Sequence, residues 1–428
     1  MNLREALAEL DGRQPESMPE PSLDRIRVLA DLLDHPELTY PTIHITGTNG
    51  KTTTARIVSA LACAHGLTTG MFVSPHVTSV TERISVCGEP ISEEEFAEEY
   101  GRLLPYLHQV DAAGRRVTYF EALTALAYLW FSDHPVGLAV FEVGMGGSWD
   151  ATNLVAGDVA VLCPIGLDHP ELGSTVEEVA AEKAGIVKPG KVAVVREQRP
   201  EALHVVERRC KEVDAALHLE GRAFALASRS PAVGGQVLEV RGLHATYPDL
   251  FVPLFGEQAA RNAAASVAAL EALLGRALDH RAVRTALSGV TSPGRLEVVS
   301  RHPLVVLDGA HNPDAMAAVV AALPEAFRWE RLHLVVGMFA DKDVEGVLRL
   351  VAPLADRAYA CMSSSPRAAP VTRVAGALRT AGVDRVEELP TVAQAVEAAR
   401  QEADEGDLIL VTGSFYTVAD ARPLFVGP

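Results

Sequence analysis

The sequence predicts an α/β protein of two domains. The first carries a parallel sheet, a phosphate-binding loop and a small antiparallel accessory sheet; the second carries an open α/β sheet of its own. Three observations carry this. Near the N-terminus, the strand-like Thr42-Ile43-His44-Ile45 runs into a glycine loop and then an apolar-periodic stretch through Ile57, Val58 and Leu61. Residues 211–255 break the pattern, with short β-like pieces punctuated by Gly221, Gly234, Gly235 and Gly242. Beyond Ser292-Pro293-Gly294, strands separated by helical patterns restart, each ending in polar residues. That break sets the expected domains at 1–292 and 293–428.

The organising stretch is Thr46-Gly47-Thr48-Asn49-Gly50-Lys51-Thr52-Thr53-Thr54. Glycines let a backbone turn tightly around an anion, and a helix N-terminus offers unpaired N–H groups. Lys51 adds a point charge for the outer phosphates, and a neighbouring hydroxyl can hold Mg²⁺. The usual longer loop would have its first glycine where this chain has Ile45, so the loop is a shorter Gly-x-x-Gly-Lys-Thr variant.

Hydrophobic residues make up 48% of the 428 and charged ones 22%, which supports folded cores rather than disorder. The net charge of −18 disfavours nucleic-acid and anionic-membrane partners, and an anionic substrate needs cations placed locally to hold it. Five scattered cysteines, Cys63, Cys87, Cys163, Cys210 and Cys361, show no paired spacing and are expected as buried thiols in a reducing compartment. No apolar run approaches the ~18 residues of a membrane span and no leader-like segment opens the chain, so a cytoplasmic, monomeric protein is expected.

In order, Leu3-Arg4-Glu5-Ala6-Leu7 and the segment beginning Leu23-Asp24-Arg25-Ile26 read as helices, joined by a loop with Pro15, Pro19 and Pro21. Met71-Phe72-Val73 is a strand ending in Ser74-Pro75-His76. Ser92 with Glu95, and Thr118 with Glu121, are capping boxes that start an acidic helix and an apolar, core-type helix. The buried-type strand ending in Glu142 precedes Val143-Gly144-Met145-Gly146-Gly147. Val159-Ala160-Val161-Leu162 leads to Ile165-Gly166-Leu167-Asp168-His169, a helix from Thr175 arrives at Glu182-Lys183-Ala184-Gly185, and Val192-Ala193-Val194-Val195 is a further strand. Residues 259–274 form a helix carrying Arg261 and Asn262. In the second domain, Leu304-Val305-Val306-Leu307 ends in Asp308-Gly309-Ala310-His311-Asn312-Pro313. Leu332-His333-Leu334-Val335-Val336 ends in Gly337, and Leu408-Ile409-Leu410-Val411 ends in Thr412-Gly413-Ser414.

Ser74, Glu142 and His169 thus follow three strands on the edge that carries Lys51, where oxygen and imidazole donors suit Mg²⁺ or Mn²⁺ beside a nucleotide. Each alone has a structural explanation: a turn residue, a paired core acid, a satisfied histidine.

Taken with Thr81-Glu82-Arg83-Ile84, Phe120-Glu121-Ala122-Leu123-Thr124, Asp150-Ala151-Thr152-Asn153, Glu182-Lys183-Ala184-Gly185-Ile186 and Pro293-Gly294-Arg295, these stretches resemble the folylpolyglutamate synthase/dihydrofolate synthase family across nearly the whole chain. The resemblance implies a Mur-ligase-type fold with a central P-loop domain and a C-terminal Rossmann-like domain. It also implies ATP-dependent joining of L-glutamate to dihydropteroate or a reduced folate through an acyl phosphate. By the same resemblance, Gly47, Thr48, Asn49, Gly50, Lys51, Thr52 and Thr53, with Asn262, Arg295 and Asp308, would hold ATP. Thr52 (or Thr53), Ser74, Glu142 and His169 would surround one or two Mg²⁺ ions, with a monovalent cation as a further candidate. Lys183 would be a carbamylated lysine, His311 and Ser414 would serve the glutamate and acyl-phosphate chemistry, and Phe120, Glu121, Trp149 and Asp150 would meet the pterin.

The chain departs from the family pattern in three places. Thr52 stands where glycine is frequent, Ser148-Trp149 where Arg-Leu is usual, and Gln258-Ala259 where His-Gln precedes the asparagine. The alternatives are a peptidoglycan-building Mur ligase, and a nucleotide-driven binding switch without bond-forming chemistry.

Overall fold

The computed structural model describes residues 1–16, 22–167 and 169–427; Pro19 and Pro21 of the expected loop, and Asp168, lie outside the described residues. The chain separates into two compact units. One comprises Met1–Arg229, Leu238–Val252 and Arg261–Val290, and the other Ser230–Val237, Pro253–Ala260 and Thr291–Pro428.

The first unit is built on eight strands: β1 (Thr42–Thr46), β2 (Thr69–Phe72), β3 (Ile84–Val86), β4 (Glu89–Pro90), β5 (Leu138–Glu142), β6 (Val159–Leu162), β7 (Val192–Val195) and β8 (Ala216–Leu219). Their order is β4-β3-β2-β5-β1-β6-β7-β8, parallel from β2 to β8 with an antiparallel β3–β4 edge. β1 is buried along its whole length because β5 and β6 flank it, with Ile45 opposite Glu142 and Thr46 opposite Leu162. Successive strands leave β1 in opposite directions, which makes its C-terminal end the switch point where ligands bind in open α/β sheets.

Apolar clusters cover this sheet. Phe72, Phe141, Tyr128 and Phe131 belong to one, with the core-type helix Tyr119–Asp133; Val143, Leu162, Val195 and Ile186 belong to another. The capping boxes at Ser92 and Thr118 form, and further ones form at Asn2 with Glu5, Ser79 with Glu82 and Thr175 with Glu178. Each satisfies orphan N–H groups at a helix start and is worth about 1 kcal/mol.

Strands β9 (Ala225–Ala232), β10 (Gly235–Arg241) and β11 (Thr246–Val252) form a three-stranded sheet in the order β11-β10-β9. The expected accessory sheet is therefore smaller than the sequence suggests. Ala216–Leu219 joins the large sheet beside β7, because its apolar residues complete the parallel edge.

The second unit carries β12 (Glu297–Arg301), β13 (Leu304–Leu307), β14 (Leu332–Val336), β15 (Arg357–Ala360), β16 (Val386–Glu388) and β17 (Leu408–Thr412), in the order β12-β13-β17-β14-β15-β16. Only β12 runs antiparallel to its neighbour. Helices such as Pro313–Ala326 and Val344–Val351 bury Met316, Leu323, Val347 and Leu348 against it.

One expectation about the cysteines fails. Cys163, Cys210 and Cys361 are buried free thiols, but Cys63 and Cys87 form a disulfide. Cys63 lies in the last turn of the helix Lys51–Ala64, and Cys87 lies at the left-handed turn after β3. The fold returns that turn to the helix with Cα atoms 5.8 Å apart, a closeness that a separation of 24 residues does not announce. Among the described residues no helix is long and apolar enough to cross a membrane.

Candidate active site

The phosphate loop occupies the predicted place, between β1 and the helix Lys51–Ala64. Its two glycines are required by geometry. Gly47 has φ +145° and a Cβ there would stand 2.6 Å from Cys163 Cβ, while Gly50 has φ +93° and a Cβ would stand 2.9 Å from Asn262 Oδ1. Thr48 anchors the loop to the end of β6: its amide donates to Pro164 O (2.9 Å), its hydroxyl to Gly166 O (2.9 Å), and Gly166 N donates back to the hydroxyl (3.0 Å).

Four elements bring their polar groups to this loop. Thr52 donates its hydroxyl to Glu142 Oε1 (2.9 Å), and the Ser74 amide donates to Glu142 Oε2 (3.3 Å), so the buried carboxylate at the end of β5 ties the helix to the end of β2. Lys51 Nζ donates to Gly47 O at 3.1 Å, and Lys183 Nζ, buried at the end of the helix Val176–Lys183, donates to the same carbonyl at 3.1 Å. Two lysine nitrogens and one carboxylate are thus gathered about one turn of backbone. His169 is half-buried and starts the short turn Pro170–Leu172.

The glycine-rich turn after β5 is held from inside. Asp150 accepts from Met145 N (2.9 Å) and Thr152 N (3.0 Å), and burial pushes its carboxyl up to about 6. Thr152 Oγ1 also bonds His44 Nε2 on β1 (2.8 Å). Glu182 Oε1 accepts from Gly147 N and Trp149 N (3.2 Å each). Phe120 lies against Gly144, where a Cβ would stand 2.5 Å from its Cζ, and its ring centroid is 5.7 Å from that of Phe72.

Within the second unit the expected residues collect where β13, β14 and β17 end. Asp308 is buried and accepts from Leu296 N (2.9 Å) and Ala310 N (2.8 Å). Burial raises its carboxyl above the usual range, opposed by the Arg295 charge. The Arg295 guanidinium lies 4.3 Å from the centroid of the Phe415 ring, and His311 Nδ1 is 2.9 Å from Gly309 O.

Comparison with known proteins decides what this arrangement belongs to. Residues 45–270 match the Mur ligase middle domain and residues 294–415 the Mur ligase glutamate ligase domain. The chain is 40% identical to the dihydrofolate synthase/folylpolyglutamate synthase of Mycobacterium tuberculosis over 97% of this chain and 92% of that protein. It belongs to the folylpolyglutamate synthase/dihydrofolate synthase family. The Bacillus subtilis member is 32% identical, with 94% of each chain covered. Crystal structures of the Mycobacterium tuberculosis folylpolyglutamate synthase complexed with ADP and AMPPCP superpose with a TM-score of 0.94, covering 100% of this chain and 98% of that one. E. coli FolC in complex with DHPP and ADP superposes with a TM-score of 0.89 at 30% identity, covering 99% and 97%. Members of this family are ATP-dependent ligases, and ATP use goes with the family.

Two residues expected at the substrates also make structural bonds. Glu121, expected at the pterin, is buried, accepts from Thr118 N (2.8 Å) in its capping box and pairs with Arg25 Nε (2.9 Å). Ser414, expected at the glutamate, is fully buried and caps the helix Phe415–Ala421, accepting from Thr417 N (3.0 Å). Phe120 and Trp149 pack with different apolar clusters.

No group of three or more His, Cys, Asp and Glu side chains capable of holding a metal occurs among the described residues. The oxygens gathered beside the loop are instead those of Glu142 and Thr52, with Ser74 held next to them through its amide, a set that fits Mg²⁺ completing its shell with phosphate and water. The residue the sequence reading missed is Arg196, which is almost fully buried and donates to Asn262 Oδ1. Its only signal was an arginine directly after a buried strand.

Proposed function

We propose that this chain joins L-glutamate to dihydropteroate or a reduced folate with hydrolysis of ATP to ADP and phosphate. The observation that carries the reading is the convergence of Lys51, Lys183, Thr52 and Glu142 on the loop around Gly47. Family membership supplies the substrates. The acceptor carboxylate attacks the γ-phosphorus to give an acyl phosphate and ADP; the glutamate amine then attacks the acyl carbon, forming the amide and releasing phosphate.

The chain contributes mainly position and charge. Loop amides and Lys51 cradle the phosphates, and Thr52, Ser74 and Glu142, with His169 from the segment after β6, would hold Mg²⁺, which supplies charge neutralisation at the transferred phosphoryl group. The donor set gives no ground for an added monovalent cation. In a protein of net charge −18, such local cations are what make room for three anionic substrates.

A carbamylated Lys183 fits this scheme. Two ammonium groups on one carbonyl repel each other, and conversion of the buried one to an anionic carbamate would remove that repulsion and give the metal another oxygen donor. Phe120 and the turn held by Asp150 would receive the pterin. Residues 1–292 would form the ATP-binding domain, and 293–428 the glutamate-ligase domain, with Arg295, Asp308 and His311 meeting ATP and glutamate. We assign the protein to the cytoplasm as a monomer.

Purified protein incubated with ATP, Mg²⁺, glutamate and either dihydropteroate or tetrahydrofolate should yield products heavier by whole glutamyl units in mass spectrometry. ATP turnover stimulated only by a UDP-linked muramyl acceptor would overturn the reading.

A further inference from the structure

Directly behind the phosphate loop lies a buried ionic network that the ligase scheme does not use. Arg196 follows β7 and is 1% exposed, the bulkiest of the fully buried side chains. Its Nε donates to Glu220 Oε2 (2.9 Å), and its Nη1 donates to Asn262 Oδ1. Glu220 follows β8; its Oε1 accepts from Arg261 Nε (2.7 Å) and its Oε2 from Glu197 N (2.8 Å). Burial pushes the Glu220 carboxyl up, but the Arg261 hydrogen bond and the Arg196 charge outweigh it and hold the group below its ordinary value. Glu220 is therefore a fixed anion, and the guanidinium is anchored on it.

Asn262 is the far end of this network and the near end of the loop. Its carboxamide lies so close to Gly50 that a Cβ there would stand 2.9 Å from Oδ1 and 3.0 Å from Nδ2. One helical turn on, Ser266 Oγ bonds Asn262 O (2.8 Å) and Thr54 O (3.3 Å), which fixes the helix against the one that starts at Lys51. A carboxamide has an acceptor end and a donor end of nearly the same size, and packing alone does not choose between its two flips. A guanidinium chooses, because it has only donors.

We propose that Arg196 is a positioning residue for the nucleotide: by holding Oδ1 of Asn262, it turns the Nδ2 donor of that amide toward the phosphate loop, where an oxygen of ATP accepts it. The charge on Arg196 also polarises the amide, strengthening the donor it presents. The inference rests on Asn262 being a nucleotide contact and adds what makes it a donor contact. The bland reading is that the network merely fastens β7, β8 and the helix Gly256–Leu274 together.

The test uses the full chain with Mg²⁺ and AMPPCP in titration calorimetry, together with steady-state kinetics. Arg196→Lys keeps a cation for Glu220 but has one nitrogen where two must reach. It should weaken AMPPCP and raise KM for ATP about tenfold, leaving kcat and KM for glutamate within twofold. In an Asn262→Ala background the same substitution should have no further effect. Additive losses, or KM values for all three substrates rising together, would mean a structural role and overturn the proposal. Asn262→Asp tests the idea without touching Arg196: it keeps an oxygen for the guanidinium and removes the donor. Nucleotide affinity should fall at least as far as in Asn262→Ala, with an unchanged melting temperature. Retained affinity in the aspartate variant would show that the oxygen makes the contact and would sink the proposal. Unchanged affinity in Asn262→Ala would instead remove the nucleotide reading of Asn262 itself, an outcome distinct from a silent Arg196→Lys.

Discussion

The phosphate-loop edge of the first unit and the strand ends of the second use similar residues in different ways. Around Gly47 the polar groups satisfy one another across long stretches of chain: Thr52 with Glu142, Ser74 with Glu142, and Lys183 with Gly47. At the ends of β13 and β17 more of the bonds are local, although Asp308 also takes Leu296 N and Thr417 reaches Gly337 O. Asp308 takes Ala310 N, His311 meets Gly309 O, and Ser414 takes Thr417 N. A carboxylate bonded across elements fails as part of an assembly when it is removed, whereas one bonded within its own turn fails mainly as a piece of local structure. The first edge is thus organised as a preformed charge site, and the second as a set of rigid turns.

The largest effect should come from Lys51. Its replacement by alanine removes a cation directed at the loop and no core packing, so turnover should fall about 10³-fold while the circular dichroism spectrum is kept. Near wild-type turnover would abolish the distinction between the two edges. Glu142→Ala should raise the Mg²⁺ midpoint for activity on the order of tenfold, since it removes the carboxylate that both Thr52 and Ser74 address. An unchanged metal titration would return Glu142 to a purely structural acid.

What was legible in the sequence divides along the same line. The loop, the capping boxes at Ser92 and Thr118, and the strands ending in Asp308 and Ser414 are written within a few residues, so local pattern found them. Arg196 was not legible, because its meaning depends on Glu220 and Asn262, which only the fold brings to it. The Cys63–Cys87 pair was missed for the same reason. Helices Pro200–Glu212 and His280–Ser288 were overlooked although both are strongly amphipathic; proline at the start of one and Asp279 capping the other are the signals that mark them. Glu121 and Ser414 carry two readings at once. Family pattern offered them a ligand, and their short-range bonds give them a cap.

The acid limb of stability separates the edges further. Burial holds His44 neutral down to about 3, helped by the charge of Lys188, and its Nδ1 has no partner. An unfolded histidine takes up its proton near pH 6.5, so below that the unfolded chain binds a proton the folded one refuses. Stability therefore falls as pH drops from 6.5 toward 3, by up to about 1.4 kcal/mol per pH unit. Urea unfolding at pH 7 and pH 5 should show a loss about 2 kcal/mol smaller in His44→Gln than in the wild type. Equal losses would mean that the imidazole beneath the glycine-rich turn already carries a proton.

The smallest effect is expected at Ser414, and it bears most directly on the local character of the second edge. Its hydroxyl accepts from Thr417 N and bonds Thr417 Oγ1 (2.8 Å), and Thr417 in turn donates to Gly337 O (2.8 Å), linking the end of β17 to the end of β14. Both bonds that Ser414 itself makes lie inside the turn, and the side chain is fully buried. Ser414→Ala should therefore cost about 1 kcal/mol of stability, the usual loss for an N-cap, and leave KM for glutamate within about threefold. Glycine at the same position should cost only a few tenths of a kcal/mol if capping is the whole role, because glycine is itself tolerated at that site. A rise of tenfold or more in KM for glutamate, at unchanged thermal stability, would show that the hydroxyl turns outward when substrate binds. The second edge would then be a charge site assembled on binding, and its difference from the first one of timing, not of construction.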